Sequence, residues 1–184
     1  MWMNLFNQAD VEEVSKKILQ RGEIIVLSGA GISTDSGIPD FRSPDGIWSK
    51  YDFEEYATID ALLANPEKVL KFFREFLKPL KKATPNPAHK ALATLEEIGI
   101  VKAIITQNID NLHQKAGSKR VIELHGNASN SRCMQCRKIY STEEVNNEVY
   151  GFPPICPDCN GLIKPDVILF GEMLPEEALK EAYE

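Results

Sequence analysis

Four short apolar runs, each stopping at a compact polar stretch, constrain the fold of this chain most. "EIIVLS" runs into "GAGIST", "VKAII" into "TQNID", "KRVIEL" into "HGN" and "PDVIL" into "FGE". Each run is too short for a helix, and the first is rich in β-branched residues, as in a strand covered on both faces. Helical segments lie between them. Residues 11–20 place Val11, Val14, Ile18 and Leu19 on one face, with Gly22 as a stop; others span 53–64, 66–78 (ended by Pro79) and 87–98. Asn65-Pro66 and Asn86-Pro87 have the form of an N-cap followed by proline. Strands alternating with helices imply an α/β fold built on a parallel, doubly wound sheet.

A chain of 184 residues, 43% of them hydrophobic, accommodates one ordinary domain with a small appendage. No apolar run approaches the roughly 20 residues of a membrane span. The start "MWMNLFNQADVEEVSKK" lacks a basic region followed by an apolar one, so the chain reads as intracellular and cytoplasmic. A net charge of -6 argues against broad attraction to nucleic acid. Lys78, Lys81 and Lys82 read as a solvated helix end.

Residues 126–164 break the strand–helix rhythm with every cysteine in the chain and the turn formers Gly151, Pro153, Pro154 and Pro157. Cys133-x-x-Cys136 and Cys156-x-x-Cys159, separated by residues 137–155, have the spacing of a tetrahedral four-cysteine zinc site. Two disulfides are the other reading, disfavoured in an intracellular chain. Four thiolates leave no open position, so the ion would be structural and the segment a small inserted zinc-ribbon module. Arg132, Arg137, Lys138 and Tyr140 are the most that favours a nucleic-acid-binding ribbon.

In an open parallel sheet, ligands sit at the carboxyl ends of the strands. Gly29 and Gly31 permit close backbone approach to a phosphate, although a tight turn explains them equally, and Thr34 stands where a dinucleotide fingerprint has its third glycine. Asp40, Phe41 and Arg42 suit a ribose, a base and phosphate oxygens, or form a loop salt bridge. Gln107, Asn108 and Asp110 can serve a carboxamide or satisfy a turn. His125, at a strand end, has the chemistry of a general base, whereas His89 and His113 read as packing or hydrogen-bonding residues.

Taken in order, "GAGIST", "GIPDFR", "TQNIDNLH", "ELHGN", the paired C-x-x-C elements and "VILFGE" resemble the sirtuins, the silent-information-regulator family of NAD-dependent protein deacylases. The resemblance implies a Rossmann-like NAD domain over residues 1–125 with a helical insertion at about 40–82, the zinc module over 126–164, and a return to the first domain over 165–184. It implies an NAD pocket along Gly29, Ala30, Gly31, Thr34, Asp40, Phe41 and Arg42. Gln107, Asn108, Ile109 and Asp110 would hold the nicotinamide and its ribose, with Asn108 counted among the catalytic groups. His125 would be the base that deprotonates a ribose hydroxyl after the acyl-lysine oxygen has displaced nicotinamide.

NAD would thus be consumed as a co-substrate, with zinc as the structural ion. Acyl-lysine proteins would be the partners, docked as an added strand along Val167, Ile168, Phe170, Gly171 and Glu172; neither membrane nor nucleic acid is expected. Phe73 and Phe76 replace the Tyr-x-x-Arg pair of members that remove acidic acyl groups, which implies acetyl or longer apolar substrates. Sirtuin cores also carry further strands, so the sheet is expected to be incomplete at the C-terminus and residues 1–184 alone weakly active or inactive. Mono-ADP-ribosyl transfer and a non-catalytic, zinc-stabilised ADP-ribose or partner-binding module are the alternatives.

Overall fold

The computed structural model describes residues 7–184; residues 1–6 of the stretch inspected for a leader lie outside them. Asn7 and Asp10 form a capping box that opens helix α1, Gln8–Arg21, and Gly22, at φ 75°, closes it as expected. The expected apolar face of α1 is not buried. Val11, Val14 and Leu19 are exposed and only Ile18 is half-buried, because helical periodicity marks a face that could pack and not the element that would cover it.

Strands β1 (Ile24–Ser28), β2 (Val101–Thr106) and β3 (Val121–Glu123) form a parallel sheet in the order β1-β2-β3. The central β2 is the most deeply buried of the three, with its Val101, Ala103 and Ile104 in the core. The two-sided cover expected for β1 is one-sided: as the edge strand it leaves Ile25 57% and Leu27 69% exposed. No described element lies over that face.

Four helices follow β1: α2 (Phe53–Tyr56), α3 (Ile59–Ala64), α4 (Pro66–Phe76) and α5 (Lys78–Lys82). The single helix expected over 53–64 is broken at Thr58, whose neighbours are taken by the backbone of Phe170: its amide donates to the Ala57 carbonyl and its carbonyl accepts from the Ile59 amide, both at 2.9 Å. Helix α4 ends at Phe76, earlier than expected. Pro79 falls in the first turn of α5, where a missing N–H leaves no helical bond unmade. Asn65 and Asn86 cap α4 and α6 (Pro87–Glu97) through their side-chain oxygens, as their sequence form implied. Helix α6 packs on β2, and α7 (Leu112–Ala116) packs on α6.

The run "PDVIL" is not a fourth strand of the parallel sheet. Strand β6, Ile163–Val167, pairs antiparallel with β4, Gly126–Cys133, in a second sheet of order β5-β4-β6, with β5 at Ile139–Ser141 and a short α8 at Thr142–Asn146. Gly126, at φ 76°, brings the two backbones so close that a Cβ there would collide with the Asp166 carbonyl oxygen. Val167, the last residue of β6, and Leu169 just beyond it bury themselves among Leu62, Val69 and Phe73 of the helices. An apolar run reports that it is covered; here the cover is helical. Strand β6 thereby spans the 164–165 boundary, and α9 (Glu176–Tyr183) follows it.

Candidate active site

The carboxyl ends of β1 and β2, the helices α4 and α5 and the segment 167–172 enclose a cavity of about 620 Å³, a volume suited to a small-molecule ligand. Its floor is stitched by side chains from separate elements. The turn after β1 is a 3-10 helix, Ala30–Ser36, that opens at Gly29. From it the buried Ser33 donates to Asp110 Oδ2 at 2.6 Å. Asn108 Nδ2 donates to the Gly29 carbonyl and to Ser33 Oγ, both at 3.2 Å, and Asn86 Nδ2 donates to the Ile32 carbonyl at 2.7 Å. Asp110 Oδ1 accepts from the Leu112 amide at 2.9 Å, so this carboxylate also starts α7.

Gly29, Ala30, Asp40, Phe41, Arg42, Gln107, Asn108, Ile109, Asp110 and His125 all line the cavity, and so do Val167, Ile168, Phe170, Gly171 and Glu172. Gly31 and Thr34 do not. They lie on the exposed side of the turn, where Thr34 Oγ1 donates back to the Gly31 carbonyl at 2.9 Å. The Ser43 amide, 2.9 Å from Asp40 Oδ1, holds the Asp40 carboxyl below its ordinary pKa. Phe41 stacks on Trp48 with ring centroids 5.5 Å apart.

His125 Nδ1 lies 3.0 Å from the Gln107 carbonyl. A carbonyl only accepts, so Nδ1 carries the hydrogen and, in the neutral ring, Nε2 is left free to take a proton. The His125 carbonyl in turn accepts from the Ile168 amide at 3.0 Å, which ties this histidine to the segment 167–172.

Sequence reasoning missed Ser33 as the link between the β1 and β2 ends, and missed Trp48, Phe72, Leu169 and Leu174 as lining. The helical spacing of "KFFREF" was the available signal for Phe72; nothing local to Ser33 announces Asp110. His89 and His113 are buried, with rings 4.9 Å apart; as expected, the first packs and the second also makes a hydrogen bond. His113 Nε2 is 2.9 Å from Ser28 Oγ, which donates to Thr106 Oγ1 at 2.8 Å. Burial, with His89 adding to it, pushes His113 down to about 4.

Away from the cavity, the sulfurs of Cys133, Cys136, Cys156 and Cys159 lie within 4.8 Å of one another. This donor set fits a tetrahedral zinc ion. Gly161 has no Cβ to fill the cradle, where one would sit 2.8 Å from Cys133 Sγ. Tyr140 Oη lies 3.0 Å from Cys156 Sγ and its hydrogen bond lowers the pKa of that thiol, whereas burial and the neighbouring sulfurs hold Cys159 up.

Residues 29–184 match the Sir2 family. An NAD-dependent protein deacetylase of Thermotoga maritima is 51% identical over 159 residues, which cover 86% of this chain and 64% of the relative. One of Saccharolobus solfataricus is 49% identical over 177 residues, covering 94% and 71%. Among solved structures, a Sir2 protein with a p53 peptide and NAD+ aligns at TM-score 0.81 and 46% identity, over 92% of this chain and 69% of that one. The chain thus spans about two thirds of the length of these relatives. With the strand ends, the histidine and the four cysteines of its sequence resemblance assembled in one fold, and with this degree of identity over nearly its whole length, the chain belongs to the Sir2 family.

Proposed function

We propose that this protein is an NAD-dependent protein lysine deacetylase that transfers the acyl group of a modified lysine to ADP-ribose and releases nicotinamide. The observation that carries this reading is His125, fixed at the cavity wall with Nδ1 committed to Gln107 and Nε2 available. When bound, NAD supplies an electrophilic anomeric carbon with nicotinamide as leaving group. The chain's own residues bind, orient and exclude water. Asn108 and Asp110 hold the glycine turn rigidly beneath the pocket, Asp40, Phe41 and Arg42 frame it, and Nε2 of His125 accepts a proton from a ribose hydroxyl. Desolvation by Phe72, Phe73 and Phe76 favours departure of nicotinamide and keeps bulk water from competing for the acyl group.

The four cysteines would hold a structural zinc ion, remote from this chemistry. The phenylalanine lining favours acetyl or longer apolar acyl groups. Arg74, between Phe73 and Phe76 on α4, offers no cation to an acidic acyl group: it pairs with Glu148 at 2.8 Å and lies over the Phe152 ring at 4.4 Å. The division into residues 1–125, 126–164 and 165–184 is retained as the functional layout. A cytoplasmic site of action accords with the absence, among the described residues, of a helix long and apolar enough to cross a membrane.

The test is mass spectrometry of an acetyl-lysine peptide incubated with NAD and the zinc-loaded, full-length protein, beside His125→Ala. Deacetylation with O-acetyl-ADP-ribose as co-product, falling by about 10²-fold or more in the variant, is expected. ADP-ribose retained on the target would instead indicate mono-ADP-ribosyl transfer. NAD binding without turnover, indifferent to His125→Ala, would indicate a binding module.

A further inference from the structure

Lys164 is a lysine with only 8% of its surface exposed, on a strand whose Ile163, Pro165 and Val167 are buried beside it. A buried ammonium persists only when its hydrogens are claimed, and here they are. Nζ donates to the Val167 carbonyl at 2.6 Å and, more weakly, to the Pro165 carbonyl at 3.4 Å, and it pairs with Glu172 Oε2 at 3.0 Å. The same Oε2 accepts from the Leu169 amide at 2.8 Å, while the Glu172 amide donates to the Leu169 carbonyl at 3.0 Å. One cation and one carboxylate thus close a loop from 164 to 172.

This closure and the neighbouring elements together occupy most backbone groups of the segment. Phe170 is already spent on Ala57 and Ile59, and the Ile168 amide on His125. Leu169 and the Val167 carbonyl are spent on the Lys164–Glu172 pair and its turn. Among the described residues, the Ile168 carbonyl and the amide and carbonyl of Gly171 are left without partners, and both residues line the cavity. The segment is therefore not a fully open strand edge of the kind expected from "VILFGE". It offers a few groups held at one spacing, and Glu172, expected among the substrate-binding residues, turns its carboxylate back into the protein.

We infer that Lys164 is a positioning residue for the peptide substrate: through Val167 and Glu172 it holds the Ile168 carbonyl and the Gly171 amide at the spacing a docked acyl-lysine backbone needs. The inference rests on the deacetylase reading. It separates two halves of the site, since the NAD side is built by Ser33, Asn108 and Asp110 on other elements. Removing the ammonium leaves the Glu172 charge and the Val167 carbonyl uncompensated, and the edge relaxes while the NAD side keeps its own bonds.

The experiment compares the full-length, zinc-loaded protein with Lys164→Met, Lys164→Arg and Glu172→Gln. Binding of a fluorescent acetyl-lysine peptide is read by anisotropy, NAD binding by calorimetry, and turnover by mass spectrometry. Lys164→Met is expected to weaken peptide binding and raise the peptide KM by about tenfold or more, with NAD affinity within about twofold and peptide affinity regained in Lys164→Arg. Should Lys164→Met fail to fold, Glu172→Gln, which keeps an oxygen for the Leu169 amide but loses the charge, is expected to show the same split. Wild-type turnover with unchanged peptide affinity in these variants, or a parallel loss of peptide and NAD binding, overturns the inference and leaves deacetylation standing. A wild-type protein that neither binds nor deacetylates the peptide overturns both readings.

Discussion

An imidazole takes up a proton only through a nitrogen that lacks one, and at position 125 the Gln107 carbonyl makes that choice. The two other histidines show what burial does instead. His113 is 1% exposed and its pKa lies near 4, below the ordinary value, so between about 6.5 and 4 the unfolded chain binds a proton that the folded one refuses. Stability from this group is complete above about pH 6.5 and declines as the pH falls toward 4. Urea denaturation at pH 7.5 and 4.5 should show a loss of about 1–3 kcal/mol that is smaller in His113→Gln, which keeps a donor for Ser28. Acyl preference is also decided by single residues. With Phe73 and Phe76 at the cavity and Arg74 paired to Glu148, an acetyl-lysine peptide should turn over at least about tenfold faster than its succinyl twin, measured as kcat/KM. His125 stood out in the sequence only because its strand-end position joined two other polar strand endings. Ser33 was not legible in the same way, because its partner Asp110 lies in another element and only the fold brings them to 2.6 Å.

The helices with Asn-Pro starts were readable because a cap is a local device: side chain and amide belong to the same turn. Asn86 has a second task that is not local, since its Nδ2 also holds the Ile32 carbonyl beneath the cavity. Asn86→Ala should cost about 1–3 kcal/mol in thermal or urea unfolding and weaken NAD binding. Asn86→Asp, which retains the capping oxygen and loses the donor, should recover most of the stability but not the affinity; equal recovery of both would assign Asn86 to capping alone. Strand β4 was the opposite case. "GNASNSRC" carries no apolar alternation, and it is a strand because β5 and β6 flank it and its glycine admits the Asp166 carbonyl. Sequence pattern finds strands that supply hydrophobic surface and passes over those held by backbone pairing to their neighbours.

For the molecule as a whole, the cavity exists because three units converge: the parallel sheet supplies the floor, the helices after β1 an apolar wall, and the chain leaving the cysteine module the remaining edge. Stripping the metal should therefore be felt beyond the cysteines. Chelation, or Cys156→Ser, is expected to lower bound zinc from about one ion per chain to near none, measured by elemental analysis, and to reduce the melting temperature and peptide binding together. An unchanged melt after complete metal loss would show that β4 and β6 stand without it. By itself the sequence determined the α/β class, the strand ends that bear the site, the capped helices and the four-cysteine set, because periodicity, caps and C-x-x-C turns are short-range and each is complete within a few residues. Only the tertiary structure decided that β6 pairs with β4, that no described element covers the apolar face of α1 or the outer face of β1, that Gly31 and Thr34 stand outside the cavity, and that Lys164 pairs with Glu172 at its edge. Those outcomes depend on which surfaces meet across long separations in the chain, and a residue's own type and neighbours do not specify the partner it will meet.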